Sequence, residues 1–328
     1  MNPFAIARAA DPGDAQAAVA RHPGARFLAG GTTLVDLLKL DVETPELVVD
    51  INHVGLDTVE PAGDGGVRIG ALARMSAVAR HELVARPYPV VSEALLAGAS
   101  PQLRNMASIG GNLMQRSRCT YFRDTSWPCN KRDPGSGCAA LHGHTRGHAV
   151  LGVSDQCIAT HPADLPVALV ALEATVHVRT PEGGERAVPV GDFHVAYGED
   201  PARESVLEPG ELITAVTLPP VDWYRRSHYV KARDRASYEF ALAAAAVALD
   251  LDGDTIRDAR VALGGVATKP WRSPEAEDVL RGATTSEAAF AAAAEAALAG
   301  ARPRADNAYK VPLARKTIVR ALKEVAER

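Results

Sequence analysis

The chain has 328 residues and a formal net charge of −4 at pH 7, and 47% of its residues are hydrophobic. This length suggests two or three subdomains, and the negative charge balance disfavours nucleic-acid binding. The sequence contains no run of about 18 apolar residues, which argues against membrane insertion. Its first residues lack the pattern of a signal peptide, so we expect folding in a reducing cytoplasm.

The first predicted elements are a helix over residues 12–22 and then a strand, a glycine turn and a helix within ARFLAGGTTLVDLLKL. Gly30 and Gly31 form the turn, and Thr32 or Thr33 is a candidate cap of the helix that follows. A glycine turn leading into a helix directs free N–H groups toward a phosphate, so the segment is a candidate anion cradle. An ordinary connection is the alternative, because the segment matches neither GxGxxG nor the Walker A motif.

The middle of the chain alternates strands and helices. A strand is predicted at 46–51, and a strand, turn and helix at 67–81. The next helix is expected to be closed by Gly98 and Pro101. A further helix over 165–172 precedes alternating apolar residues typical of strands, and two consecutive prolines at 219–220 mark the expected domain boundary.

The remainder predicts a smaller α+β domain. The Ala-rich stretch ALAAAAVAL has helical propensity, but the RDARVALGGVA that follows the Asp252-Gly253 turn favours a strand in a hairpin. Helices are predicted at 285–300 and 312–327. The basic residues of the last helix are either a solvated face or a docking surface for an acidic partner.

All four cysteines lie in a glycine-rich stretch between residues 99 and 160, namely Cys119, Cys129, Cys138 and Cys157. No pair has CxxC spacing, which argues against a zinc ribbon and a thioredoxin-type redox pair. Four thiolates from one long loop suit a [2Fe–2S] cluster, a [4Fe–4S] cluster or tetrahedral zinc, and structural thiols are a further alternative. Nearby histidines add weak support for a metal, and the surrounding stretch is basic: His142, His144, His148, His161, Arg116, Arg118, Arg123, Lys131, Arg132 and Arg146.

Several motifs occur together in a familiar order: FLAGGTTL at 27–34, ASPQLRNMASIGGNL at 99–113, HPADLPVAL at 161–169, ELITAVTLP, and a strand with Lys231. In combination they resemble the FAD-binding subunit of the xanthine dehydrogenase, or molybdenum hydroxylase, family over essentially the whole chain. The cysteine-bearing insert resembles that of the periplasmic aldehyde oxidoreductase flavoprotein subunits, which carry an extra [4Fe–4S] cluster. The flavoprotein subunit of 4-hydroxybenzoyl-CoA reductase also has a cluster insert.

The resemblance implies an α+β fold with a PCMH-type, vanillyl-alcohol oxidase-like FAD-binding domain over residues 1–220. This domain would comprise subdomains 1–55 and 56–220, with the cluster insert at 115–160. Residues 221–328 would form a C-terminal α+β domain like that of the CO dehydrogenase flavoprotein.

The resemblance also implies the cofactors and their ligands. FAD would contact Arg26, Phe27, Leu28, Ala29, Gly30, Gly31, Thr32, Thr33, Leu34, Ser108, Gly111, Asn112, Asp164, Ile213 and Lys231. One [4Fe–4S] cluster would be bound by Cys119, Cys129, Cys138 and Cys157. The sequence departs from many relatives at Met75, where they have a threonine, which leaves the contacts of the flavin edge open there.

The implied function is electron transfer, with no catalytic acid or base in this chain. A large molybdopterin-binding subunit would oxidise an aldehyde or N-heterocycle, and a small [2Fe–2S] subunit would pass electrons to FAD, which releases them to an external electron acceptor. Such a heterotrimer could reach the periplasm if a partner subunit carries the export signal. The alternatives are a stand-alone FAD-dependent reductase or oxidase and a zinc-stabilised, non-catalytic scaffold.

Overall fold

The structure, a computed structural model, describes residues 1–198 and 200–328. Within these residues the strands form three sheets. The first sheet is parallel, and the second and third are antiparallel. The combination of separate sheets with flanking helices confirms the expected α+β class. No helix in the described part of the chain is long and apolar enough to cross a bilayer.

The first sheet carries the first glycine turn. Its strands are β1 (Ala5–Arg8), β2 (Arg26–Leu28) and β3 (Leu47–Asp50), in the order β1-β3-β2, with helices α1 (Pro12–Arg21) and α2 (Leu34–Lys39). Helix α1 confirms the helix predicted at 12–22, and Asp11 caps it by accepting a hydrogen bond from the amide of Asp14. Thr33 occupies the cap position of α2, but its side chain makes no capping hydrogen bond.

The second sheet has the strand order β4-β5-β8-β6-β7. These strands are β4 (Val59–Pro61), β5 (Val67–Gly70), β6 (Thr175–Arg179), β7 (Glu185–Pro189) and β8 (Leu212–Leu218). The helices of this region are α3 (Met75–Val78), α4 (Glu82–Ala85), α5 (Pro89–Ala97), α6 (Pro101–Met106), α7 (Ile109–Leu113), α8 (Thr120–Arg123), α9 (Leu165–Ala171) and α10 (Val190–Phe193). Gly98 closes α5 as expected, whereas Pro101 begins α6 instead of ending α5.

The third sheet is formed by β9 (Ser227–Ala232), β10 (Ala243–Asp252), β11 (Thr255–Gly264) and β12 (Trp271–Arg272), and helices α11 (Pro274–Leu280), α12 (Glu287–Leu298) and α13 (Lys310–Ala326) follow. The Ala-rich stretch is the strand β10, as predicted. Its backbone pairs with β9 on one side and β11 on the other, and α13 covers the sheet. Tertiary pairing therefore overrides the helix propensity of alanine.

The hydrophobic core is continuous across residue 220. One cluster of buried side chains runs from Val67 in the second sheet to Tyr229 and Ala262 in the third. A second cluster joins the third sheet to α11, α12 and α13. The division of the chain at residues 220 and 221 therefore stays a prediction.

The cysteine segment, residues 115–160, is attached to the third sheet by its backbone. Leu151 pairs in parallel with Ala267, and the amide of Val150 donates to the carbonyl of Val266 at 2.8 Å. The amide of Arg302 in turn donates to the carbonyl of Val150 at 2.7 Å. The segment is thus held between the second sheet and the C-terminal part of the chain.

Candidate cofactor site

The first glycine turn contacts another backbone too closely for any side chain. A Cβ atom on Gly30 would lie 1.9 Å from the carbonyl oxygen of Met106, and Gly31 has a φ of +73°. Arg74 holds the Met106 carbonyl through a 2.7 Å hydrogen bond. Glycine is therefore required at both positions, once for space and once for conformation.

The second glycine turn opens α7. Ser108 caps this helix by accepting a hydrogen bond from the amide of Gly111 at 3.2 Å. The amide of Gly110 donates to the carbonyl of Ala71 at 2.7 Å, and a Cβ atom on Gly110 would lie 3.0 Å from the Cβ of Ala71. The close approach of Gly110 to Ala71 thus fixes the position of the second glycine turn as well.

A cavity of about 620 Å³ lies between the two turns. The cavity wall includes many of the predicted FAD contacts: Arg26, Phe27, Ala29, Gly30, Gly31, Thr32, Thr33, Leu34, Ser108, Gly111 and Ile213. The remaining predicted contacts are not part of this wall: Leu28, Asn112, Asp164 and Lys231.

Asp164 and Lys231 form a buried ion pair. The Lys231 Nζ lies 2.8 Å from Asp164 Oδ2 and 3.2 Å from the carbonyl of Ala97. The Tyr229 hydroxyl donates to the other carboxylate oxygen at 2.7 Å. Burial, then the charge of Asp164, raises the pKa of Tyr229 well above its usual value. The pair links the N-cap of α9 to β9, and its predicted contact with FAD is not tested by this geometry.

Asn112 points to Met75. Its amide nitrogen lies 3.4 Å from the Met75 sulfur. The amide oxygen is buried and has no partner among the described residues. An unpaired buried acceptor is unusual in a folded protein.

The wall opposite the first glycine turn carries a network of buried charges. Arg116 lies between Glu43, at 2.5 Å, and Glu204, at 2.8 Å. Burial opposes the charge of Arg116, but the two carboxylates outweigh it and raise its pKa. Lys131 is fully buried, lies 3.5 Å from Glu204 and sits 3.3 Å above the ring centre of Tyr197. The network joins this wall to the cysteine segment.

Two histidines complete the wall. The rings of His161 and His194 meet edge to face, with 4.6 Å between their centres. His194 Nε2 lies 2.9 Å from the carbonyl of Leu113. Burial lowers the pKa of His194 to about 4 and that of His161 well below 6.5. Both rings are therefore neutral at physiological pH.

The four cysteines lie together although they are up to 38 positions apart in sequence. Cys129 and Cys138 face each other across an antiparallel bridge, and all four are free thiols. Burial, followed by the influence of the other cysteines, raises the pKa of Cys119 to about 11 and that of Cys157 to about 12. The thiols are thus close enough to influence one another electrostatically.

Nitrogen atoms lie within hydrogen-bonding distance of two of the sulfur atoms. Cys119 Sγ lies 3.2 Å from His148 Nε2, and the amide of Ala159 donates to Cys157 Sγ at 3.5 Å. Within residues 1–198 and 200–328, no three His, Cys, Asp or Glu side chains are positioned to bind a single metal ion. The predicted metal site is therefore not shown, and the tetrahedral zinc alternative gains no support.

The sequence analysis did not identify several residues of the wall. Glu43, Glu204 and His194 were not singled out, and Lys131 was noted only as part of a basic stretch. None of them belongs to a recognisable motif. They come from separate parts of the chain and are brought together by the tertiary fold.

The family described as the FAD binding domain in molybdopterin dehydrogenase matches residues 2–221, more than half of the chain. The chain belongs to the FAD-binding medium subunits of the molybdenum hydroxylases. The flavoprotein subunit also matches the CO dehydrogenase flavoprotein C-terminal domain over residues 227–325. It is therefore a subunit of an oxidoreductase, and FAD is its cofactor.

Individual relatives extend over nearly the whole flavoprotein subunit. It is 51% identical over 324 residues to the aldehyde oxidoreductase FAD-binding subunit PaoB of Escherichia coli, covering 99% of this chain and 98% of that protein. It is 27% identical to the glyceraldehyde dehydrogenase medium chain of Sulfolobus acidocaldarius, covering 98% of each. The reconstituted CO dehydrogenase from Oligotropha carboxidovorans superposes with a TM-score of 0.78 at 28% identity over 100% of both chains. These similarities favour the flavoprotein-subunit hypothesis over a stand-alone flavoenzyme or a scaffold.

Proposed function

We propose that the flavoprotein subunit transfers electrons within a molybdenum-containing aldehyde oxidoreductase and holds FAD in the cavity between its glycine turns. The meeting of the two turns at one cavity carries this proposal, because Gly30, Gly31, Ser108 and Gly111 all line it. The 51% identity to an aldehyde oxidoreductase subunit supports the substrate class of the complex. FAD supplies the redox chemistry when bound, while this chain binds and orients it.

The pyrophosphate of FAD is proposed to lie between the turns. Backbone amides of Gly30, Gly31 and Thr32 would bind it from one side, and Ser108 and Gly111 from the other. The remaining proposed contacts would enclose the rest of the cofactor. They are the wall residues Arg26, Phe27, Ala29, Thr33, Leu34 and Ile213, together with Leu28 and Asn112, which lie outside the wall.

Asp164 remains proposed to hold a polar group of FAD, and Lys231 to lie near the isoalloxazine. Both are engaged with each other and with Tyr229, so the pair would act as a neutral unit. Its rigidity favours a role in positioning, since three hydrogen bonds fix the carboxylate and the ammonium group.

The cysteine segment is proposed to bind one [4Fe–4S] cluster through Cys119, Cys129, Cys138 and Cys157. The mutual electrostatic influence of the thiols, the amide donors beside Cys119 and Cys157 and the buried Lys131 suit a cluster of net negative charge. Binding would lower the pKa values that burial now raises, because thiolates are the ligands. Whether the cluster would act as an electron relay or a structural staple is decided by the experiment below.

The partners proposed from the family are a large molybdopterin-binding subunit and a small [2Fe–2S] subunit in a heterotrimer, with an external electron acceptor. We also propose the domain division given above, with the FAD-binding domain at 1–220, the insert at 115–160 and the C-terminal domain at 221–328. The cytoplasm is the proposed compartment, or the periplasm if a partner subunit directs export.

The direct test is an absorption spectrum of the anaerobically purified chain before and after dithionite, with flavin, iron and zinc measured on the same sample. The expected result is one FAD and about four irons per chain, with both chromophores bleached on reduction. A folded sample with FAD but no iron would contradict the cluster and keep the flavin function. A folded sample without flavin would contradict the function itself.

A second experiment distinguishes an electron-relay role of the proposed cluster from a purely structural role. Cys138→Ser removes one proposed ligand, and His142→Ala, an exposed change four residues away, is the matched control. If the cluster is a staple, C138S lowers the melting temperature while flavin reduction by the partner subunits persists. If it is an obligatory relay, flavin reduction is lost in C138S at temperatures where the variant is fully folded. The control is expected to retain both properties.

A further inference from the structure

The backbone places Cys129 and Cys138 directly opposite each other. The two residues form an isolated antiparallel bridge. The residues that follow them, Asn130 and Ala139, donate their amides to the carbonyls of the residues that precede the opposite cysteine, at 2.7 and 3.2 Å. Cys129 and Cys138 are therefore a non-hydrogen-bonded pair, in which the Cα atoms lie about 4.5 Å apart and the side chains approach most closely.

The spacing of this pair suits a disulfide, and both thiols are free. Bonded cysteines have Cα atoms about 4.4 to 6.8 Å apart, so the pair can be joined without a large movement of the backbone. The other two thiols have different neighbours. Cys119 Sγ lies 3.2 Å from a nitrogen of His148, and Cys157 Sγ accepts a hydrogen bond from a backbone amide at 3.5 Å. Neither has a backbone bridge to another cysteine in the described part of the chain.

The short loop between the two cysteines is held in shape by its own polar groups. The Ser136 hydroxyl accepts a hydrogen bond from the amide of Cys129 at 3.0 Å, and the Asn130 side-chain oxygen accepts one from the amide of Gly137 at 2.7 Å. Gly135 and Gly137 have φ values of +88° and +98°, which allow the chain to turn back. The cysteines are thus held opposite each other before any bond joins them.

We propose that Cys129 and Cys138 form a reversible disulfide in the metal-free chain, and that this bond and metal binding exclude each other. The second part rests on the proposed function, in which both residues bind a cluster. Metal ligands must be thiolates, so oxidation withdraws two of the four proposed sulfur ligands. No cysteine is among the described residues that line the cavity between the glycine turns, so FAD binding is not affected.

The oxidant is a low-molecular-weight disulfide such as oxidised glutathione. Cys138 is partly exposed, whereas Cys129 is only 7% exposed. The Cys138 thiolate therefore attacks one sulfur of the oxidant, forms a mixed disulfide and releases one glutathione. The Cys129 thiolate then attacks the Cys138 sulfur, forms the internal bond and releases the second glutathione. Two protein thiols are oxidised, one glutathione disulfide is reduced, and the two protons pass to the two glutathione thiolates.

The test maps disulfides in the full-length chain, depleted of metal with a chelator and equilibrated anaerobically with reduced or oxidised glutathione. Free thiols are trapped with iodoacetamide before tryptic digestion and mass spectrometry. Cleavage after Arg118, Arg123, Lys131, Arg132 and Arg146 places each of the four cysteines on its own peptide. A bond between any two of them therefore joins two otherwise separate peptides and is assigned without ambiguity.

The expected result under oxidised glutathione is the loss of two of the four free thiols and one linked pair, Cys129 with Cys138. Dithiothreitol should restore both thiols. Cys129→Ser should abolish the linked pair and leave glutathione attached to Cys138. Cys157→Ser is the matched control, because it removes a proposed metal ligand outside the pair, and it should form the same bond as the wild type. A mixed disulfide alone, a different pairing, or four free thiols under oxidised glutathione would overturn the proposal.

The second part is tested on the wild-type chain purified anaerobically with its iron and flavin quantified. Iron that binds only the reduced thiols must disfavour the disulfide by the same factor. The iron-bearing chain is therefore expected to form at least about tenfold less of the linked pair than the depleted chain in the same glutathione buffer. Equal amounts would refute the exclusion. A chain without iron would refute the cluster and the exclusion together, a chain without FAD would refute the flavin function, and in both cases the mapping still decides the disulfide.

Discussion

The glycine turns and the cysteine segment border the same cavity, but different forces hold them in place. At Gly30 the constraint is steric, since backbone lies where a side chain would be, and at Gly31 it is a positive φ. The cysteine segment is held by side chains that bond to distant backbone: Asn130 binds the amide of Gly137 and the carbonyl of Gln156, and Ser154 donates to the carbonyl of Tyr197. A steric constraint requires glycine at fixed positions and is therefore visible in the sequence as a short motif. A network of hydrogen bonds between distant residues has almost no sequence motif.

The largest effect on stability and FAD binding is expected for Gly30→Ala in the first glycine turn. The added Cβ would lie 1.9 Å from a backbone oxygen, so one of the two turns must move. We expect the free energy of unfolding to fall by about 3 kcal/mol and FAD binding to be lost. Urea unfolding and flavin content measure the two effects.

Gly63→Ala is the control for this change, because Gly63 has ordinary φ and nothing within 4 Å of an added Cβ. It should unfold within about 0.5 kcal/mol of the wild type. If G30A kept its flavin and its stability, close packing of the turns would not be the feature that forms the site.

An intermediate effect on the free energy of unfolding is expected for Arg116→Met, in the network of buried charges beside the cysteine segment. This change leaves Glu43 and Glu204 without the guanidinium that lies between them, although Arg26 and Lys131 still pair with them. We expect a loss of about 2 kcal/mol in the free energy of unfolding, because partly buried carboxylates lose their main counter-charge. Urea unfolding measures it.

The matched control is Arg203→Met on the same wall. Its ion pair with Glu208 is more than half exposed on both sides, so its loss should cost less than about 1 kcal/mol. Equal losses in R116M and R203M would show that burial of the network does not matter for stability.

The smallest expected effect is the dependence of the free energy of unfolding on pH. Burial holds the pKa of His194 at about 4 and that of His161 well below 6.5, so the unfolded chain binds more protons than the folded chain between these values. The contribution of these two neutral imidazoles to the free energy of unfolding is therefore fully present above pH 6.5, and it is lost as the pH falls toward 4. His194 alone should account for about 2 kcal/mol between pH 7 and pH 5.

Urea unfolding of the wild type, H161F and G30A at the two pH values tests this expectation. H161F should lose less stability on acidification than the wild type, because one buried imidazole is gone. G30A should lose as much as the wild type, since the glycine turn contains no group that titrates in this range. A slope for H161F equal to that of the wild type would contradict the prediction.

Much of the fold could be predicted because it depends on local pattern. The turn at Gly30, the helix at Pro12–Arg21 and the hairpin of β10 and β11 each have their signal within about 20 residues. Pro101 was misassigned because proline marks both the end of one helix and the first turn of the next.

The site was predictable on its glycine side and not on its charged side. The tertiary fold brings Arg116, Glu43 and Glu204 together from three distant parts of the chain, and each is an ordinary surface residue type. The same applies to His194, which contacts His161 from a position 33 residues later in the chain. Long-range assembly of common residues has no local signature.

The attachment of the cysteine segment to the third sheet has a consequence for biosynthesis. Leu151 pairs with Ala267, and Arg302 binds Val150, so the segment is anchored by chain that leaves the ribosome more than 100 residues later. A nascent chain holding all four cysteines still lacks these anchors, and contacts of such sequence separation form late. The final packing of this segment therefore requires the chain up to Arg302, so the proposed cluster would be inserted only after most of the polypeptide has been made.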